Sequence, residues 1–304
     1  MKRTVILLLS AFSLQLSASA QGPLTPPGAP APTMKTLAQI EPRTAITNTA
    51  SAVTINNPGS YYLTGNLTVT SGNAITIATN GVTLDLNGFT ISSAAASAAG
   101  TAIVFSGPRS DITILNGHIR GGVTNNGSGV YAGSGFANGI YYSGNLPVNV
   151  LVSQVSVSGC LTYGINLTLS DATVVEGCTA RIIGSDGIAA STVKNCGAAD
   201  CGGIAIYGDQ VSDSRGASTG SGTGLSANAA QNCSGSSSGS GTGIDAITAQ
   251  NCYGYSFSGT GLSATVASFC VGSQSGGTAI YATVATSCYA VAGTNIITHK
   301  YNMP

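Results

Sequence analysis

The chain has 304 residues, of which 42 are glycine and only 7% are charged. Ten Lys and Arg balance ten Asp and Glu, so there is no basic field to hold a phosphate backbone, which excludes nucleic acid as a partner. Ser, Thr, Asn, Gly and Ala replace the charges, a composition that fits neither a membrane bundle nor a charged disordered chain.

The first twenty residues read as a cleaved signal peptide. Lys2 and Arg3 supply a basic start, residues 4–16 (TVILLLSAFSLQL) an apolar stretch too short to span a membrane, and Ala18-Ser19-Ala20 a cleavage site. The mature protein is therefore expected to be secreted or periplasmic, in a compartment that permits disulfides. Residues 21–45 form a Pro-rich spacer and cap. Five prolines fall within residues 22–32 (GPLTPPGAPAP), and Met34, Leu37 and Ile40 share a helical face that Pro42 ends. A short N-terminal capping helix is expected over residues 33–43.

Residues 46–304 are one β domain. ITIATNGVTLDLNGFTI (75–91) and ITILNGHI (112–119) alternate apolar with polar residues and turn at Asn-Gly corners. An insertion over residues 121–147 places Tyr131, Phe136, Tyr141 and Tyr142 in one Gly-rich loop, where aromatic faces suit sugar rings. The densest acidic region follows: Asp171, Glu176, Asp186, Asp200, Asp209 and Asp213, with Arg181, Lys194 and Arg215 nearby.

From Ile188 onward the chain repeats. Ile188, Ile206, Leu225, Ile244, Leu262 and Ile280 recur in steps of 18 or 19. Eight residues after each stands Cys196, Ser214, Cys233, Cys252, Cys270 or Cys288, and the same step extends the column back to Cys178 and Cys160, leaving Cys201 outside it. The residue before each cysteine position is mostly Gly, Asn or Asp (Gly177, Asn195, Asp213, Asn232, Asn251), types that accept a left-handed backbone, so this column marks a turn. Two residues after the cysteine position the side chain is always small. The unit is too short for a helical hairpin and cannot bury a core alone. Stacked on its neighbours about 4.8 Å away, it closes a narrow interior. The fold class expected is all-β, a right-handed parallel β-helix of roughly ten coils. The cysteine column reads as buried thiols acting as small hydrophobes. Stacked disulfides are the alternative, and Cys196 with Cys201 is a candidate local pair. No C-x2-C pair exists and only two histidines are present, so no metal or other cofactor is expected. GSGTG at Gly220 and Gly239 has no helix after it and reads as a turn rather than a phosphate loop.

SYYLTGNLTV, GVTLDLNGFTI and ITILNGHIRGG, followed by the cysteine-ending coils, resemble secreted bacterial right-handed parallel β-helix proteins of the pectin-lyase-like superfamily, over about residues 45–298. The resemblance implies the architecture and leaves the activity open, since that superfamily contains polysaccharide lyases, glycoside hydrolases and proteins without known activity. Enzymes of that kind use clustered carboxylates with a basic partner. Here no adjacent Asp-Asp pair occurs, Glu176 and Lys194 read as a stacked surface pair, and His118 sits inside a strand motif. The expectation is a monomeric, exported, non-catalytic protein that is structural or binds an extracellular or cell-surface polysaccharide, with Tyr131, Phe136, Tyr141 and Tyr142 as contact candidates. The alternative is a lyase or hydrolase of pectin-like polysaccharides using Asp186, Asp209 and Asp213.

Overall fold

The computed structural model describes residues 41–47, 50–170 and 172–303. The expected signal peptide, the expected spacer and nearly all of the expected capping helix lie outside these residues, and among the described residues there is no helix. Those from Arg43 onward form a parallel β-solenoid of about 13 turns. At roughly 4.8 Å per turn the stack is on the order of 60 Å long.

Each coil has three sides. In the coil that starts at Ile244, one strand, Ile244–Gln250, makes the first two. Residues 244–246 pair with 225–227 above and 262–264 below, residues 248–250 with 229–231 and 266–268, and Ile247 stands unpaired at the bend between. The third side is Tyr253–Ser256, in register with Ser234–Ser237 and Val271–Gln274. The anchor residues found in the sequence stack as an inward column on the first side: Ile188, Ile206, Leu225, Ile244, Leu262 and Ile280, all fully buried.

The turn between the second and third sides is where the periodicity becomes physical. Asn116, Gln154, Gly177, Asn195, Asp213, Asn232, Asn251, Phe269, Ser287 and Asn302 all have φ between 47° and 61°. This left-handed residue swings the chain around the corner, which is why Asn is the commonest residue of the column. The cysteine position that follows points inward. The Cys196 thiol donates to the Lys194 carbonyl oxygen at 3.1 Å and accepts the Cys178 N–H at 3.4 Å. Ser214 does the same one coil on, donating to Ser212 O at 2.7 Å and accepting the Cys196 N–H at 3.1 Å. The thiols of Cys233, Cys252, Cys270 and Cys288 likewise reach the carbonyl two residues back. The carbonyls already accept the N–H of the preceding coil's turn residue, so what the column supplies is an acceptor for the buried N–H groups of Cys178, Cys196 and Cys270. All eight cysteines are buried and reduced, Cys196 and Cys201 included.

Two expectations need correcting. Cys160 does not continue the cysteine column. The coil after it is longer, so Cys160 pairs with Ile183 and Ile183 with Cys201, on the third side. Cys201, the apparent exception, thus belongs to the column of Cys160, which Ser218 and Ser237 extend. The position stacked above Cys178 is Val155, whose N–H bonds the Cys178 sulfur at 3.4 Å. The number of coils is also higher than ten, because residues 44–46 already form a rung and pair with 61–63.

The interior narrows along the solenoid. The early coils are filled by Leu63, Leu67, Leu84, Ile103 and Phe105. On the second side the inward column then runs Val175, Val193, Val211 and changes to Ala230, Ala249, Ala267, Ala285. On the third side Gly235, Gly254 and Gly272 stand where a Cβ would lie 2.2 Å from a carbonyl oxygen of the next coil's corner.

Candidate functional site

The four aromatic candidates of the insertion fall into three environments. Gly122–Asn125 and Tyr131–Ser134 form an antiparallel hairpin outside the main stack. Tyr131 holds it down: its hydroxyl donates to Asp200 Oδ1 at 2.8 Å and contacts Thr219, while Asn125 Nδ2 donates to the same Asp200 oxygen at 2.6 Å. Burial, reinforced by the Asp200 carboxylate, raises the Tyr131 phenol far above its ordinary pKa, so it remains a hydrogen-bond donor. Phe136 is fully buried and joins the core, so it offers no face to a ligand. This removes it from the sugar-contact candidates of that loop. The physical reason is that residues 138–143 leave the insertion and rejoin the stack in register with 101 and 103–106, which turns the preceding residues inward.

That register puts Ile140 in the core and sends Tyr141 outward on the first side, with Tyr142 half-buried against the core. Tyr142 and Thr168 share a hydroxyl hydrogen bond at 2.9 Å. Tyr141 stacks on Tyr142 with ring centroids 5.0 Å apart, and on Tyr163 of the next coil at 5.3 Å and 11° between planes. Partial burial raises the Tyr141 pKa first, and the two neighbouring tyrosines add to it. The result is a cluster of three aromatic rings two coils tall.

The cluster continues down the same side. The outward column below Tyr141 runs Asn166, Ala189, Tyr207, Ser226, Asp245, Ser263 and Tyr281. Between Tyr207 and Tyr281 the small residues leave a shallow groove of about 410 Å³. Its two tyrosines stand four rungs, or about 19 Å, apart. Tyr163, Tyr207 and Tyr281 were not singled out from the sequence. The last two were readable there, one residue after each anchor.

The acids do not gather. Asp171 lies outside the described residues. Glu176 bonds Lys194 at 3.0 Å on the second side, one coil apart, as their shared column implied. Asp186 Oδ1 accepts the Ile204 N–H at 2.8 Å at the corner before the first side, and its pKa is raised, chiefly by burial. Asp209 accepts from Asn228 at 2.6 Å at the bend between the first and second sides. Asp213 accepts from Asn232 at 3.0 Å in the turn column. Asp186, Asp209 and Asp213 thus occupy three different corners of the coil, each tied to the next coil. His118 is exposed on the third side. Among the described residues no group of three or more His, Cys, Asp or Glu is placed to hold a metal ion, and no helix is long and apolar enough to cross a membrane. No family model matches the chain, and neither a curated protein nor a solved structure does.

Proposed function

We propose that the protein is an exported, monomeric glycan-binding solenoid without catalytic activity, whose first side lies against an extracellular or cell-surface polysaccharide. The observation that carries this reading is the stack of Tyr141, Tyr142 and Tyr163, continued by Tyr207 and Tyr281 along one face. Aromatic rings offer apolar faces with a polar tip, the combination that sugar rings require. A rigid parallel stack sets such rings at multiples of one spacing, which suits a repeating polymer. Export rests on residues 1–20, and the tie to the pectin-lyase-like superfamily rests on the strand and Asn-Gly corner motifs. The dispersal of Asp186, Asp209 and Asp213 over three corners supports binding over cleavage, because acid and base must flank one bond.

A glycan array with a parallel assay for reducing ends and unsaturated products tests this. Wild type retains a glycan without cleaving it, and Tyr141→Ala with Tyr163→Ala weakens retention by about tenfold or more. Turnover that disappears in an Asp186→Asn, Asp209→Asn double variant would overturn the reading.

A further inference from the structure

We infer that the corner between the second and third sides, from Asp213 to Phe269, is a second glycan-binding groove, laid out for a linear polysaccharide running along the solenoid axis. The inference rests on the glycan-binding reading above but on different residues, on the opposite side of the coil from the Tyr141 cluster.

The corner holds an open groove of about 820 Å³. One wall is the turn column, where side chains stack as a polar ladder. Asn251 Nδ2 donates to Asn232 Oδ1 at 3.3 Å, and Asn232 Nδ2 donates to Asp213 Oδ1 at 3.0 Å. This one-way chain leaves each amide a second N–H, and Asp213 a second oxygen, for hydroxyl partners. The other wall carries Arg215 and Tyr253 in the outward column of the third side, two coils apart. Among the described residues no carboxylate forms an ion pair with Arg215, which is exposed.

The ladder ends on Phe269, and Phe269 is the reason to assign a ligand. Its φ is 53°, the left-handed conformation that suits Asn and Gly and strains a bulky residue. The fold does not require phenylalanine there, since the coils on either side hold Asn251 and Ser287 at the same position. Nor does the core gain from it: the ring is 58% exposed. The corner thus presents an exposed aromatic ring, and a second exposed ring, on Tyr253, lines the same groove. A sugar face stacked on these rings, with its hydroxyls bonded to the amide ladder, Asp213 and Arg215, gives both the rings and the ladder a partner. The ladder runs along the axis, so a linear chain follows it from coil to coil.

The full chain is titrated with linear hexasaccharides of β-1,4-glucose and of α-1,4-galacturonate, as wild type, Phe269→Asn, Phe269→Leu and Tyr253→Ala. Phe269→Asn relieves the strained turn and extends the ladder, so it melts higher, by about 2 °C, yet binds about tenfold or more weaker. Phe269→Leu keeps the strain and the bulk without the ring, and loses binding too. A Phe269→Asn protein that is stabilised with affinity unchanged overturns the inference, as does a wild-type dimer that this variant dissolves, since the ring would then serve a second copy. If wild type binds and only the Tyr141 and Tyr163 substitutions weaken it, the corner groove is refuted and the first-side reading stands. If wild type binds no glycan, both fall.

Discussion

Cys196→Ala should be more damaging than Cys196→Ser. The thiol is 4% exposed and serves two buried backbone groups, the Lys194 carbonyl and the Cys178 N–H. Alanine orphans the Cys178 N–H, while the Lys194 carbonyl keeps the Gly177 N–H at 3.1 Å. Sulfur bonds are weak, so the low end of the usual penalty applies, about 1 kcal/mol. Loss of the sulfur volume adds about 1 kcal/mol of burial and cavity cost. The total is roughly 2 kcal/mol. Serine reproduces both bonds, as Ser214 does in the next coil at 2.7 and 3.1 Å, so it costs about 1 kcal/mol or less. Urea midpoints of the two variants and wild type, all measured with a thiol reductant, read the difference. Alanine matching serine would mean that the column is plain hydrophobic filling and that the hydrogen-bond relay between coils contributes nothing.

Gly254→Ala places a Cβ 2.2 Å from the Gly261 carbonyl oxygen, backbone that cannot yield without moving the next coil. A loss of about 3 kcal/mol, or failure to fold, is expected in thermal melts. Gly197→Ala, whose Cβ would meet nothing within 4 Å, should melt like wild type. Stability should also fall in alkali. Burial pushes the Cys160 thiol from its ordinary 9.0 up to about 12, and raises Cys201 by the same cause first. Above pH 9 the unfolded chain releases protons that the folded protein keeps. The stabilisation is thus full below about pH 9 and is lost as pH climbs toward 12, at about 1.4 kcal/mol per pH unit for each thiol. Chemical denaturation across that range reads the slope. A flat profile would place these thiols in contact with solvent.

The periodic half of the chain carries its architecture openly. Where coils are 18 or 19 residues long, residues one period apart are spatial neighbours, so the columns Ile188 to Ile280 and Asn195 to Asn251 could be read as ladders and as a turn. The Glu176–Lys194 pair followed from the same rule. The rule fails wherever a coil changes length. Cys160 stands one period before Cys178, yet the longer coil between them moves it to the third side beside Ile183. The insertion hid more. Tyr131, Phe136 and Tyr141 lie close together in sequence but end in a hairpin clasp, the core and an outer face, because residues 138–143 re-enter the stack in a register that local pattern does not specify. The stacking of Tyr141 on Tyr163 likewise exists only once two unequal coils are aligned. Equal spacing determined the solenoid, its thin core and its corner from sequence alone. The tertiary structure decided which rings meet and which grooves open, because that depends on how unequal coils settle against one another.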